Sequence, residues 1–234
     1  MDAPEGFEHY LIKLDGVSAS AGFRETQNYG RLEYSFAKLA VLCGIAMPEC
    51  LIVEEGGRAH FLSKRFDRRN GGKMHMQTLC GLAHFDYRLL RGYSYEQVFD
   101  VMRALRLSYR EAQEMFRRVV FNVVVRNQDD HTKNISFLMD TEGLWHFSPA
   151  YDIGYAYNPD GAWTSAHQMS VNGKYDAITR EDLLELASRN NISGASRIIE
   201  EVCDACARWP QIARECGVPQ TMIDSIVSDM LLGI

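Results

Sequence analysis

The chain has 234 residues with 25 Lys plus Arg against 31 Asp plus Glu, a formal net charge of −6 and a pI near 5.7. It is long enough for one sizeable core or for two lobes sharing an interface, and its acidic balance argues against a surface built to grip phosphate backbones. Six cysteines at irregular spacings imply reduced thiols rather than a disulfide framework. "MDAPEGFEHYLIK" lacks the basic and apolar regions of a signal peptide, and no run approaches the roughly 20 apolar residues that span a bilayer. The expected setting is therefore the cytoplasm.

In chain order, "HYLIKLDG" reads as a strand with Leu11 and Lys13 on one face and Tyr10, Ile12 and Leu14 on the other. "GVSASAG", residues 16 to 22, reads as a linker. "GRLEYSFAKLAVLCG" places Leu32, Phe36, Leu39, Ala40 and Cys43 on one helical stripe, with Glu33 beside it and Gly44 as C-cap. "CLIVEEGGRAHFLSKRFDRR" is expected to form a hairpin, because Gly56-Gly57 supplies the positive φ of a tight turn. "RRNGGK" reads as a loop, after which helices take over.

Ser94 with Gln97, and Ser108 with Glu111, are capping-box pairs that open two helices. The second, about 109 to 125, turns apolar on most faces and must be buried at its end. It delivers "RNQDDHTKN", residues 126 to 134, as a polar loop on a rigid support. "ISFLMD" and "LWHFS" around Thr141-Glu142-Gly143 form a second hairpin leading into "PAYDIG". Thr179 with Asp182 caps a further helix; 195 to 209 and 221 to 232 are helical, with Trp209-Pro210 as a stop. Cys203 and Cys206 follow the helical period and read as core residues rather than half of a zinc site.

Asp129 and Asn134 are five positions apart, and Asp152 follows across a hairpin in Asp152-Ile153-Gly154. Phosphoryl transfer needs such a set: a carboxylate that takes the hydroxyl proton, and an amide oxygen and a second carboxylate on magnesium. The spacing equals that of the kinase loop H-R-D-x-x-x-x-N, and "DIG" stands where "DFG" would. Lys13 on a strand and Glu33 on the next helix supply the pair that neutralises nucleotide phosphates. A metal-dependent hydrolase using Asp129, Asp130, His131 and His146 is the weaker alternative, since the histidines lack a ligating spacing; His146 reads as a half-exposed strand residue.

With these residues in place the sequence resembles the HipA-like family of bacterial serine/threonine kinase toxins. The matching stretches run from residue 9 to 174, and Asn-x-Asp-x-His-x-x-Asn followed by Pro-x-Tyr-Asp, at 127 to 134 and 149 to 152, is the specific part. The resemblance implies an α+β, divergent protein-kinase-like fold, with a truncated β-rich N-lobe over 1–67 and a mainly helical C-lobe over 68–234. It implies ATP and Mg2+ as cofactors, with Lys13 on the phosphates, Glu33 as its partner and Lys64 to Asp67 as the hinge. Backbone groups at Lys64 and Phe66 would face adenine and Asp67 the ribose. Asp129 would be the catalytic base, Asn134 and Asp152 the metal ligands, and His131 and Lys133 supporting groups, with Lys133 a candidate for the γ-phosphate. His167, in "HQMSVNGK", is placed near the site.

The family's implied partners are a protein substrate such as an aminoacyl-tRNA synthetase and a helix-turn-helix antitoxin of the HipB type, with neither direct nucleic-acid binding nor a membrane. The chain starts after the family's N-terminal subdomain and Gly/Ser-rich phosphate loop. The expectation is thus a fragment, a split product completed by a separate N-terminal chain, or a degenerate copy that binds without turning over.

Overall fold

The computed structural model describes residues 4, 6–18, 22–23, 27–69 and 72–234. β1 (Tyr10–Lys13) is followed by a small ribbon, β2 (Val17–Ser18) and β3 (Gly22–Phe23), then α1 (Tyr29–Leu42), β4 (Cys50–Glu55) and β5 (Arg58–Lys64). β5 lies between β1 and β4, antiparallel to both. Gly56 and Gly57, at φ 56° and 78°, make the turn between β4 and β5, as the sequence requires. The segment read as a linker is instead paired at both ends, Val17 with Phe23 and Ser18 with Gly22. Its middle, residues 19–21, lies outside the described residues.

Register decides which way Lys13 faces. Lys13 pairs with Phe61 and Phe61 with Ile52, so the three share the sheet face that α1 covers, while Ile12, Leu62 and Leu51 share the other. α1 reaches this sheet through Gly30, where an added Cβ would stand 1.9 Å from the Ala59 carbonyl oxygen. Only a residue without a side chain allows that approach. Phe36, Leu39, Ala40 and Cys43 are buried along the helix, and Gly44 at φ 77° follows its C-cap residue Cys43.

Past Asp67 come a second ribbon, β6 (Arg68–Arg69) with β7 (Gly72–Lys73), then β8 (His75–Thr78), α2 (Leu79–Leu82) and β9 (Tyr93–Ser94). The stretch read as a loop, "RRNGGK", is therefore also paired at its ends, and residues 70–71 lie outside the described residues. α3 (Tyr95–Ala104) and α4 (Tyr109–Val124) follow, then the hairpin of β10 (Ser136–Met139) and β11 (Trp145–Phe147), and β12 (Met169–Ser170). β10 pairs with both β11 and β8, which makes a three-stranded sheet where the sequence suggested only a hairpin. The chain closes with α5 (Arg180–Arg189), α6 (Ala195–Cys206), α7 (Trp209–Glu215) and α8 (Gln220–Asp229).

The capping boxes at Ser94, Ser108 and Thr179 all form. Trp209-Pro210 does more than stop a helix: α6 ends at Cys206, and Pro210 sits in the first turn of α7. A proline there needs no amide partner and has a helical φ already fixed. Residues Val119 to Val125 are all buried, Asn122 included, as expected of a helix running through the centre. Each fully buried apolar side chain of this kind contributes about 1.5–3 kcal/mol. Cys203 and Cys206 are buried in α6, with Cys206 Sγ 3.9 Å from Cys43 Sγ.

Candidate functional site

A cleft opens between the β1-β5-β4 sheet with α1 on one side and the loops following α4 and β11 on the other. Its main cavity, about 280 Å³, is lined by Leu11, Phe61, Phe66, Met76, Tyr151 and Ile153 among others, with Lys13, Glu33 and Asp152 at its polar end. A second cavity of about 220 Å³ shares Glu33 and Asp152 and adds Asn127 and Asp129. The first suits a flat apolar group and the second the charged end of the same ligand.

Lys13 is the pivot of the polar end. Its Nζ stands 2.6 Å from Glu33 Oε1 and 2.5 Å from Asp152 Oδ1, joining β1, α1 and the loop after β11. Burial by itself would lower the Lys13 ammonium, but the carboxylates of Glu33 and Asp152 outweigh it and raise it above the ordinary lysine range. Burial raises Glu33, with Lys13 acting against it. Asp152 adopts φ 53°, a left-handed conformation uncommon outside glycine, of the kind that gathers at functional sites.

The two adjacent aspartates of the loop after α4 point into opposite environments. Asp129 has a half-exposed side chain in the cleft, 3.7 Å from His131 Nε2. Burial raises its carboxyl above the ordinary aspartate range; His131 opposes this, and Asp152 and Asp130 add to it. Asp130 is buried and bonded to Tyr95, His167 and the Gln168 N–H. His131 Nδ1 is buried with no hydrogen-bond partner among the described residues. Asn134 Nδ2 donates to the Asp129 carbonyl at 2.9 Å, which leaves the amide oxygen for another partner. Asn134 and Asp152 line one small space with Asp130 and His131. Two hard oxygen donors fit a magnesium ion better than a zinc ion.

Other expected site residues lie further from this centre. Lys64 lines the main cavity, but its side chain bonds Glu8 and Glu49 and its N–H donates to the Glu49 carbonyl at 2.8 Å. Phe66 lines the main cavity, its ring 5.8 Å from that of Tyr151. Asp67 also lines it, yet its carboxylate accepts from Arg65 Nε at 2.9 Å, from Arg65 Nη2 at 2.7 Å and from Arg68. These bonds, that of Arg65 first, hold the Asp67 carboxyl below its ordinary range. The Lys133 ammonium lies 3.5 Å from the centre of the Tyr87 ring, while its carbonyl accepts from the Tyr151 hydroxyl at 2.7 Å. His167 is held at Asp130, and His146 pairs with Asp140 at 2.8 Å across the β10–β11 hairpin. Sequence reasoning missed the cavity wall of Phe61, Met76 and Tyr151. It also missed the partnership of Asp130 with Tyr95, for which a buried tyrosine opening a capped helix was the available signal.

Chemically, the arrangement can neutralise an anion at Lys13, hold a hard cation between Asn134 and Asp152, and accept a proton at Asp129. Comparison with known proteins places the chain in a family. The chain is 27% identical over 179 residues to Y4dM of Sinorhizobium fredii, named as a kinase, covering 69% of this chain and 42% of that protein. It is 24% identical over 223 residues to the serine/threonine-protein kinase toxin HipA of Shewanella oneidensis, covering 82% of this chain and 52% of that one. The chain thus spans about half the length of the curated relatives it matches.

Among solved structures, HipA of Shewanella oneidensis in a complex with HipB and its operator DNA superposes with a TM-score of 0.68 at 19% identity, over 97% of this chain and 62% of that one. The proinflammatory kinase CtkA of Helicobacter pylori superposes with a TM-score of 0.55 at 16% identity, over 95% of this chain and 88% of that one. Both share the fold, a kinase-like α+β architecture. The family model described as the HipA-like C-terminal domain matches residues 1–231, and the chain therefore belongs to the HipA-like C-terminal domain family.

Proposed function

We propose that this chain is the catalytic part of a HipA-like toxin, an ATP- and magnesium-dependent kinase that phosphorylates a serine or threonine of a protein. One observation carries the reading. Lys13 joins Glu33 and Asp152 at the mouth of an apolar cavity, and Asp129 lines the adjoining one. In this reading the adenine fills the space between Leu11, Phe61, Phe66 and Ile153, with Lys13 on the phosphates and Glu33 holding it in place. Asn134 and Asp152 hold magnesium, whose charge offsets that of the phosphates. Asp129 orients the acceptor hydroxyl and takes its proton; a carboxyl raised by burial is better suited to that task than a solvated one.

The partner class that fits the family is an antitoxin protein, as HipB is for HipA. DNA enters that relative's assembly together with HipB; for this chain, with its net charge of −6, we assign the contact to DNA to the partner. An aminoacyl-tRNA synthetase is the substrate class we would assay first.

The test combines binding with turnover. Millimolar ATP with magnesium is expected to raise the melting temperature of wild type and Asp129→Ala alike, since a ligand at 100 times its Kd adds about 2.7 kcal/mol. Phosphotransfer to protein should fall by about 10²–10⁴ in Asp129→Ala; unchanged transfer rejects Asp129 as base. A second reading rests on Lys13 occupying an oxygen of Asp152: a kinase-like module that stays closed and engages its partner without turnover. A missing ATP shift in wild type would favour it.

A further inference from the structure

Asp130 lines neither of the two larger cavities of the cleft, yet three donors converge on it, one from α3 and two from the consecutive residues His167 and Gln168. Its side chain is 1% exposed. Oδ2 accepts from the Tyr95 hydroxyl at 2.6 Å and lies 2.8 Å from His167 Nδ1, and Oδ1 accepts from the Gln168 N–H at 2.7 Å. The Tyr95 hydroxyl, at the start of α3, accepts from Asn122 Nδ2 of α4 at 3.0 Å. Asn122 Oδ1 accepts in turn from Asn127 Nδ2 at 3.0 Å. Asn127 and Asp130 flank Asp129 in the chain, so these bonds close a ring around the residue assigned as base.

A carboxylate removed from water is costly unless its oxygens are satisfied. If the position served packing alone, an apolar residue of similar volume would do as well. What a charge with three directed donors adds is orientation. We propose that Asp130 is the positioning residue of this site: the ring Asn127–Asn122–Tyr95–Asp130 grips the loop on both sides of Asp129 and presents its carboxylate to the cleft. Through His167 and Gln168 the same carboxylate ties that loop to the segment following Asp152. This inference rests on the phosphotransfer reading of Asp129, and the experiment keeps the two apart.

Two variants cut the ring at different points: Asp130→Asn, which replaces one acceptor oxygen by a donor, and the milder Tyr95→Phe, which removes a hydroxyl and keeps the ring packing. Amide hydrogen exchange over residues 127–134 is expected to quicken about tenfold or more in both, while α6 and α8 exchange as in wild type. In steady-state phosphotransfer, kcat should fall about 10- to 100-fold with the KM for ATP held within about threefold, because a base displaced by about 1 Å costs rate rather than binding. The double variant should be no slower than Asp130→Asn, since both changes open the same ring. Unaltered exchange in 127–134, or a rise shared equally by α6 and α8, overturns the proposal, as does a loss confined to KM. Should Asp130→Asn fail to fold, Tyr95→Phe decides alone. If wild type transfers no phosphate, the kinase reading falls, and the exchange data still determine whether Asp130 and Tyr95 hold the loop.

Discussion

Neighbouring residues of one type serve different ends here because their surroundings differ. Asp129 is half exposed beside His131, while Asp130 is enclosed by donors. Gly30 shows the same dependence on place at a position with no chemistry. A methyl group there would meet the Ala59 carbonyl at 1.9 Å, a backbone atom that cannot swing aside. Gly30→Ala should therefore push α1 off β5 and cost about 1–3 kcal/mol or more, measured by urea or thermal unfolding. Because Glu33 follows one turn later on the same helix, the variant should also disturb the Lys13–Glu33 pair and, on the proposed kinase reading, weaken ATP binding. A Gly30→Ala protein with wild-type stability would mean that α1 does not pack this closely.

At the level of elements, local side-chain caps at Thr78, Ser94, Ser108 and Thr179 open half of the eight described helices. The Thr179 box is reinforced by Lys174, whose Nζ lies 2.8 Å from Asp182 Oδ2. Burial alone would raise Asp182, but bonds from Lys174, the Thr179 N–H, Asn172 and the Thr179 hydroxyl outweigh it and bring the carboxyl down to about 2. A carboxyl lowered on folding stabilises the protein fully above its unfolded value and loses that contribution as pH falls through the folded one. The stabilisation from α5 is thus expected to be complete above about pH 5 and to fade toward pH 2. Asp182→Asn should lower stability at neutral pH by about 1 kcal/mol or somewhat more and flatten the acid side of a plot of melting temperature against pH. An unchanged acid profile would show that another carboxylate governs it.

For the molecule as a whole, α1 is the member that joins the sheet to the helices. It packs on β5 and β4 with one side and on α7 with the other. Phe36 stacks on Trp209 with centroids 4.8 Å apart, and Trp209 Nε1 donates to Ser35 Oγ at 3.1 Å. Arg31 adds a bond to the Cys216 carbonyl beyond α7. Trp209→Ala should cost about 3–5 kcal/mol, lowering the melting temperature by about 10 °C or more. Since α1 also carries Glu33, the proposed kinase reading predicts that ATP affinity drops with it, although Trp209 lies outside the cleft; retained affinity would mean that α1 can shift without disturbing Glu33. Leu144→Ala, at the exposed tip of the β10–β11 hairpin, should change neither. Among the described residues no helix is long and apolar enough to cross a membrane.

What the sequence determined by itself was whatever depends on near neighbours: the three capping boxes, the Gly56-Gly57 turn, the buried run ending α4, and the spacing of Asp129, Asn134 and Asp152 that carries the family resemblance. These follow from backbone bonding and periodicity within a few residues. β8 escaped because "HMQT" has little apolar alternation of its own and gains its strand character by pairing with β10, on the far side of α3 and α4. Pro210, read as a stop, opens α7 instead, since a proline can follow one helix or begin the next. Only the tertiary structure decided that Lys13 reaches Glu33 and Asp152 together, that Asp130 turns into the core, and that Lys133 lies against Tyr87. Those outcomes depend on register and on packing between residues far apart in the chain, where burial and charge can be assigned only after the elements have met.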